Sequence, residues 1–129
     1  MDLKDLTTKE FSDEGKLRII QELVPGKQVT LAHIIASPDP IMYSKLGLKP
    51  GVEESRAALG IVTVSPAETA IIMADIGMKS SAAQLGFVDR FSGSVIVTGT
   101  VSEVESSLEA MLSYVKQTLG YFVVPITRT

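Results

Sequence analysis

The run ALGIVTV (58–64) constrains the chain more than any other stretch. It is almost continuously apolar and rich in β-branched residues, the pattern of a strand buried on both faces. A helix start comes at once after it. Ser65 suits an N-cap, Pro66 the first helical position, and Glu68 completes a capping box. This helix is expected to run to about Ser80. Strand, turn and strand come next, at 85–90 and 94–101. A second capping box, Ser102 with Glu105, opens a helix with Val104, Leu108, Met111, Leu112, Val115 and Leu119 on one face. Gly120 ends it. YFVVPIT (121–127) reads as a last strand, with Pro125 near its end suiting an edge position. From residue 58 the order is β-α-β-β-α-β, an α+β, ferredoxin-like split βαβ plan.

Upstream, LRIIQELV (17–24) and QVTLAHIIA (28–36) flank a Pro-Gly turn and read as two extended segments outside that plan. The connection 37–56 is punctuated by Pro and Gly, with a short helix expected from Pro40 to Leu46 and stopped by Gly47. Residues 1–16 carry five acids and three lysines with weak periodicity, and read as a charged, flexible tail before a domain at 17–129.

Composition narrows the function classes. A chain of 129 residues with 45% hydrophobic content is enough for one domain with a real core. The net charge of −3 and the lack of a basic stripe argue against nucleic acid. The absence of cysteine excludes disulfides, thiolate zinc and Cys-ligated iron–sulfur clusters. No apolar run approaches the ~20 residues of a membrane span, and the charged N-terminus lacks a signal-peptide core.

Catalytic groups do not converge. His33 is the one histidine, inside an apolar strand, where a hydrogen-bonded structural role is expected. PGKQ (25–28) lacks the upstream Gly and the hydroxyl of a phosphate loop. Glu53 and Glu54 are adjacent and point apart, as on a solvated loop. Asp75 has no obvious partner. Asp89 and Arg90 are expected to alternate across a strand. RFSGS (90–94) reads as a hairpin turn in which Gly93 supplies φ > 0. The chain is read as a non-enzyme with no cofactor and no metal site. The 66–80 helix is apolar around much of its circumference, which fits burial either by another subunit or between sheet and tail.

Taken together, ALGIVTVSPAETAIIMADIGMKSS and FVDRFSGSVIVTGTVSEVESSLEAM resemble the strand–helix and hairpin–helix of bacterial microcompartment shell proteins. RIIQELVPGKQVTLAHIIA and the terminal ITRT are similar to the circularly permuted, single-domain hexameric members of the ethanolamine, propanediol and choline utilisation types. The resemblance covers about residues 17–129. It implies a homohexameric tile in a microcompartment shell in the bacterial cytoplasm, set edge to edge with other shell proteins around cargo enzymes. It further implies that Arg90, Phe91, Ser92, Gly93 and Ser94 surround the six-fold axis as a pore loop. Lys79 and Arg128 would lie at hexamer edges. Leu17, Arg18, Ile19, Ile20, Gln21, Glu22, Leu23 and Val24 would form a strand of an intersubunit six-stranded β-barrel capping the pore. An exposed strand of this kind invites pairing, and barrel closure removes its edges. The same β-α-β-β-α-β pattern also suits a small-metabolite-binding regulatory protein, because fold does not fix function.

Overall fold

The computed structural model describes residues 26–48 and 57–129. The tail 1–16, the expected barrel strand Leu17–Val24 and the Glu53–Glu54 pair lie outside these residues. The elements are β1 (Gln28–Ile35), α1 (Ile41–Lys45), β2 (Ala58–Ser65), α2 (Thr69–Ser80), β3 (Gln84–Asp89), β4 (Ser94–Gly99), α3 (Val101–Gln117) and β5 (Thr127–Arg128).

Strand β2 is buried on both faces, as its apolar run requires. Ala58, Val62 and Val64 join the core beneath α2 and α3, with Met73, Leu108 and Met111. Leu59 points the other way, into a smaller cluster with Tyr43, Leu48 and Ile96. The alternation is the period-2 geometry of a strand with cover on each side. Tyr43 of α1 closes the second cluster and donates its hydroxyl to the Ala57 carbonyl.

The sheet order is β3-β4-β2-β1-β5. Strand β1 pairs antiparallel with β2 from Gln28–Ser65 to Ile35–Leu59. The segment 28–36 is therefore not outside the split βαβ plan. It fills the place beside β2 that the last strand of that plan should occupy. The physical reason is that β1 can bury Val29, Ala32 and Ile34 beneath the helices while pairing along its length. The C-terminal segment cannot compete. Pro125 lacks a donor, and the expected strand 121–127 is reduced to a Gln28–Phe122 bridge and the two-residue β5, parallel to β1.

Both expected capping boxes are corrected. Ser65 stays in the ladder opposite Gln28, so it cannot cap. Helix α2 instead opens at Thr69 after a turn in which Thr69 N–H donates to Pro66 O at 3.1 Å. The second box lies two residues earlier than Ser102–Glu105. Thr100 Oγ1 accepts Glu103 N–H at 3.2 Å, and Glu103 Oε1 accepts Thr100 N–H at 3.0 Å. Each group satisfies an otherwise orphaned donor at the start of α3.

Helices α2 and α3 approach closely because small residues line their contact. A Cβ on Gly77 would lie 2.6 Å from Ser107 Oγ and would collide with Met111. Gly60 plays the same part between β2 and α3, where a Cβ would lie 2.6 Å from Val104 Cγ1. At the start of α2, the buried Thr69 hydroxyl and Tyr121 hydroxyl lie 2.6 Å apart, fastening the C-terminal segment to the helix.

Candidate functional site

Residues 90–93 form the turn of the β3–β4 hairpin, and Ser94 follows as the first residue of β4. Strand β3 ends at Asp89, so Arg90 begins the turn rather than alternating with Asp89 across a strand. Asp89 organises the turn. Its Oδ1 accepts Phe91 N–H at 2.9 Å and its Oδ2 accepts the Ser92 hydroxyl at 2.9 Å. Its backbone carbonyl accepts Gly93 N–H at 2.8 Å. Donation from the Phe91 amide, then from the Ser92 hydroxyl, holds the Asp89 carboxyl below its ordinary range.

Gly93 is buried, and both of its backbone groups are used within the chain. Its carbonyl accepts Val64 N–H at 2.9 Å. At φ +80° it takes a conformation that favours glycine, and a Cβ would fall on the Val64 carbonyl oxygen. The hairpin tip is thereby docked on the end of β2. Ser94 opens β4, with its Oγ 3.1 Å from Ser92 Oγ. Arg90 and Phe91 point outward. Phe91 is 81% exposed, and the Arg90 guanidinium lies 4.9 Å from its ring centroid.

Lys79 lies in the last turn of α2. Its Nζ is 2.8 Å from Asp75 Oδ2, one turn back. Asp75, which has no obvious partner in the sequence, therefore has one at the favourable i, i+4 spacing. The hydrogen bond from Lys79 to Asp75 and their Coulomb attraction raise the lysine's pKa above its ordinary value. Arg128 on β5 pairs with Glu105 of α3, Nη2 to Oε1 at 3.1 Å. His33 has the structural role its setting suggests, with Nδ1 2.6 Å from Thr127 Oγ1 and Nε2 2.9 Å from Thr129 Oγ1.

A further set of exposed apolar residues is legible in the sequence only in its α2 part. Ile71 and Ile72 of α2, and Leu85, Phe87 and Val88 of β3, are exposed. Strand β3 is also a sheet edge, with β4 as its neighbour. The legible signal is the wide apolar circumference of α2. Among the described residues, no group of three His, Cys, Asp or Glu could hold a metal, and no helix is long and apolar enough to cross a membrane.

The BMC-domain model matches residues 58–127. The bacterial microcompartment shell protein CutR of Streptococcus intermedius is 49% identical over 89% of this chain and 96% of its own length. The shell protein PduU of Salmonella typhimurium is 47% identical over 87% of this chain and 93% of its own. Among solved structures, a CutR flat hexamer superposes with a TM-score of 0.75 at 46% identity, covering 82% of this chain and 94% of that one.

Proposed function

Because this chain belongs to the BMC-domain family of bacterial microcompartment shell proteins, we propose that it forms a hexameric tile of such a shell. The observation that carries this reading is similarity to shell proteins along nearly the whole chain. The exposed apolar residues of α2 and β3 support it physically. Ile71 and Ile72 lie on one helix and Leu85, Phe87 and Val88 on an edge strand, apolar groups suited to burial against another copy. The role is structural: the relatives are shell proteins, and this favours a shell tile over a metabolite-binding regulator or an enzyme.

In this reading the 90–94 hairpin tips of six copies ring the central axis. Lys79 and Arg128 lie toward neighbouring tiles, and the microcompartment lies in the bacterial cytoplasm with enzymes as its cargo. The strand Leu17–Val24 closes a barrel over the axis, a part supported by its sequence pattern and resemblance alone. Support for the pore-ring assignment is the exposure of Arg90 and Phe91 on a tip fastened to β2 by the Val64 N–H donating to the Gly93 carbonyl.

Size-exclusion chromatography with light scattering tests the reading. Six copies of the 13.8 kDa chain give about 83 kDa under closed cyclic symmetry. That mass, or larger multiples of it, is expected. A monomer or dimer that persists on concentration would overturn it.

A further inference from the structure

The hairpin tip divides its polar groups between those engaged within the chain and those left exposed. Of the polar groups in RFSGS, the Ser92 hydroxyl and the Phe91 and Gly93 amides are all spent within the chain. All three bond to one residue outside the loop motif. Asp89 takes the first two on its carboxylate and the third on its main-chain carbonyl. A carboxylate accepting two donors at 2.9 Å fixes the direction of both, because its two oxygens are held in one plane. Arg90, Phe91 and Ser92 are all exposed, and of these the Ser92 hydroxyl is already engaged by Asp89, which leaves the Arg90 guanidinium and the Phe91 ring as the exposed side-chain groups that Asp89 does not hold.

We propose that Asp89 is the positioning residue of this loop. It engages the Ser92 hydroxyl and the Phe91 and Gly93 amides, so that the exposed side-chain groups of the tip it leaves unengaged are a guanidinium and an aromatic ring. Ser92 and Gly93, which the resemblance sets around the axis with Arg90 and Phe91, are scaffold. That Arg90 and Phe91 then face a central axis rests on the hexamer reading; the action of Asp89 on the loop does not, since every contact lies within one chain.

Amide hydrogen exchange of the full-length assembled protein tests this, comparing wild type with D89A, D89N and S92A. In D89A both carboxylate bonds are lost, and exchange at Phe91 should accelerate about tenfold, as loss of a charge-assisted hydrogen bond implies, whereas the Gly93 amide keeps its main-chain acceptor at residue 89 and should change less. Asparagine keeps an acceptor for the Phe91 amide, so D89N should restore exchange to within about threefold of wild type. S92A should also remain within about threefold, because the Phe91 bond to Oδ1 survives. Amides in α3 and β2 should keep their wild-type rates in all three variants, separating a loop effect from general destabilisation. Wild-type exchange at Phe91 in D89A would overturn the proposal. So would a D89N loop as fast as D89A, or an S92A loop as fast as D89A. Light scattering on the same samples reads the hexamer separately. A monomeric mass with the expected exchange pattern would sink the shell reading and leave the positioning role intact.

Discussion

The two sides of helix α2 are built on opposite rules. Its inner side carries Ala70, Met73, Ala74 and Gly77, mostly small and all buried. Its outer side carries Ile71 and Ile72, large, β-branched and 50% and 43% exposed. Residue hydrophobicity alone would rank these the other way. The inner side is limited by space, because α3 comes so close that Gly77 has no room for a methyl group. Among the described residues nothing covers the outer side, so it can hold bulk. The difference teaches that size, as well as hydrophobicity, decides which residues of α2 pack against α3 and which are left exposed.

The comparison can be broken most forcefully at its inner side. Replacing Gly77 with leucine overpacks the helix seam and should cost about 3 kcal/mol, read as a fall in the urea midpoint. Wild-type stability would mean that the seam can open freely. Truncating the residue that faces it, Met111→Ala, leaves a cavity among fully buried side chains and should cost about 2–3 kcal/mol. On the outer side, the double variant I71S/I72S should change unfolding of the dissociated chain by only about 0.5 kcal/mol. Its effect should emerge instead in light scattering, as loss of hexameric mass. A hexamer that survives would move the subunit contact away from α2.

Charge effects on the same helix should be weaker and more selective. K79D places a second carboxylate one turn from Asp75, and should weaken contacts between hexamers while leaving hexamers intact. Dissolution of the hexamers themselves would show that Lys79 belongs to the subunit contact. The smallest effect concerns the hairpin. The Asp89 carboxyl is depressed in the folded chain, so its contribution is present above the unfolded value of about 3.9 and lost as pH falls through the folded value. A pH titration of the Phe91 amide resonance should therefore have its midpoint below that of an ordinary aspartate. A midpoint at or above the ordinary value would contradict the two-bond arrangement.

Much of the fold is legible because periodicity is local. The run 58–64, the apolar face of α3 and the hairpin around Gly93 all announce themselves by spacing and turn chemistry. The mismatches have a common cause. Ser65–Glu68 and Ser102–Glu105 both satisfy the capping pattern, yet Ser65 is claimed by pairing with Gln28, and Thr100 captures the start of α3 earlier. A cap motif competes with the strand before it, and the sequence does not record which wins. The loop is legible as a turn, whereas the residue that shapes it, Asp89, reads in sequence as one face of a strand. An Asp two residues before the amide it accepts is a known turn signal, so the local pattern does contain it.

The sequence by itself determined the alternation of elements, the buried character of β2, the absence of cysteine chemistry, and the motifs that resemble shell proteins. Those properties depend on near neighbours along the chain. Only the tertiary structure decided that β1 displaces the C-terminal segment beside β2, and that Gly77 and Gly60 make room for α3. It also decided that Gly93 is buried while Phe91 stands exposed. Each of these depends on which distant segment gets there with the better fit, a competition for space and hydrogen-bond partners that only the folded chain resolves.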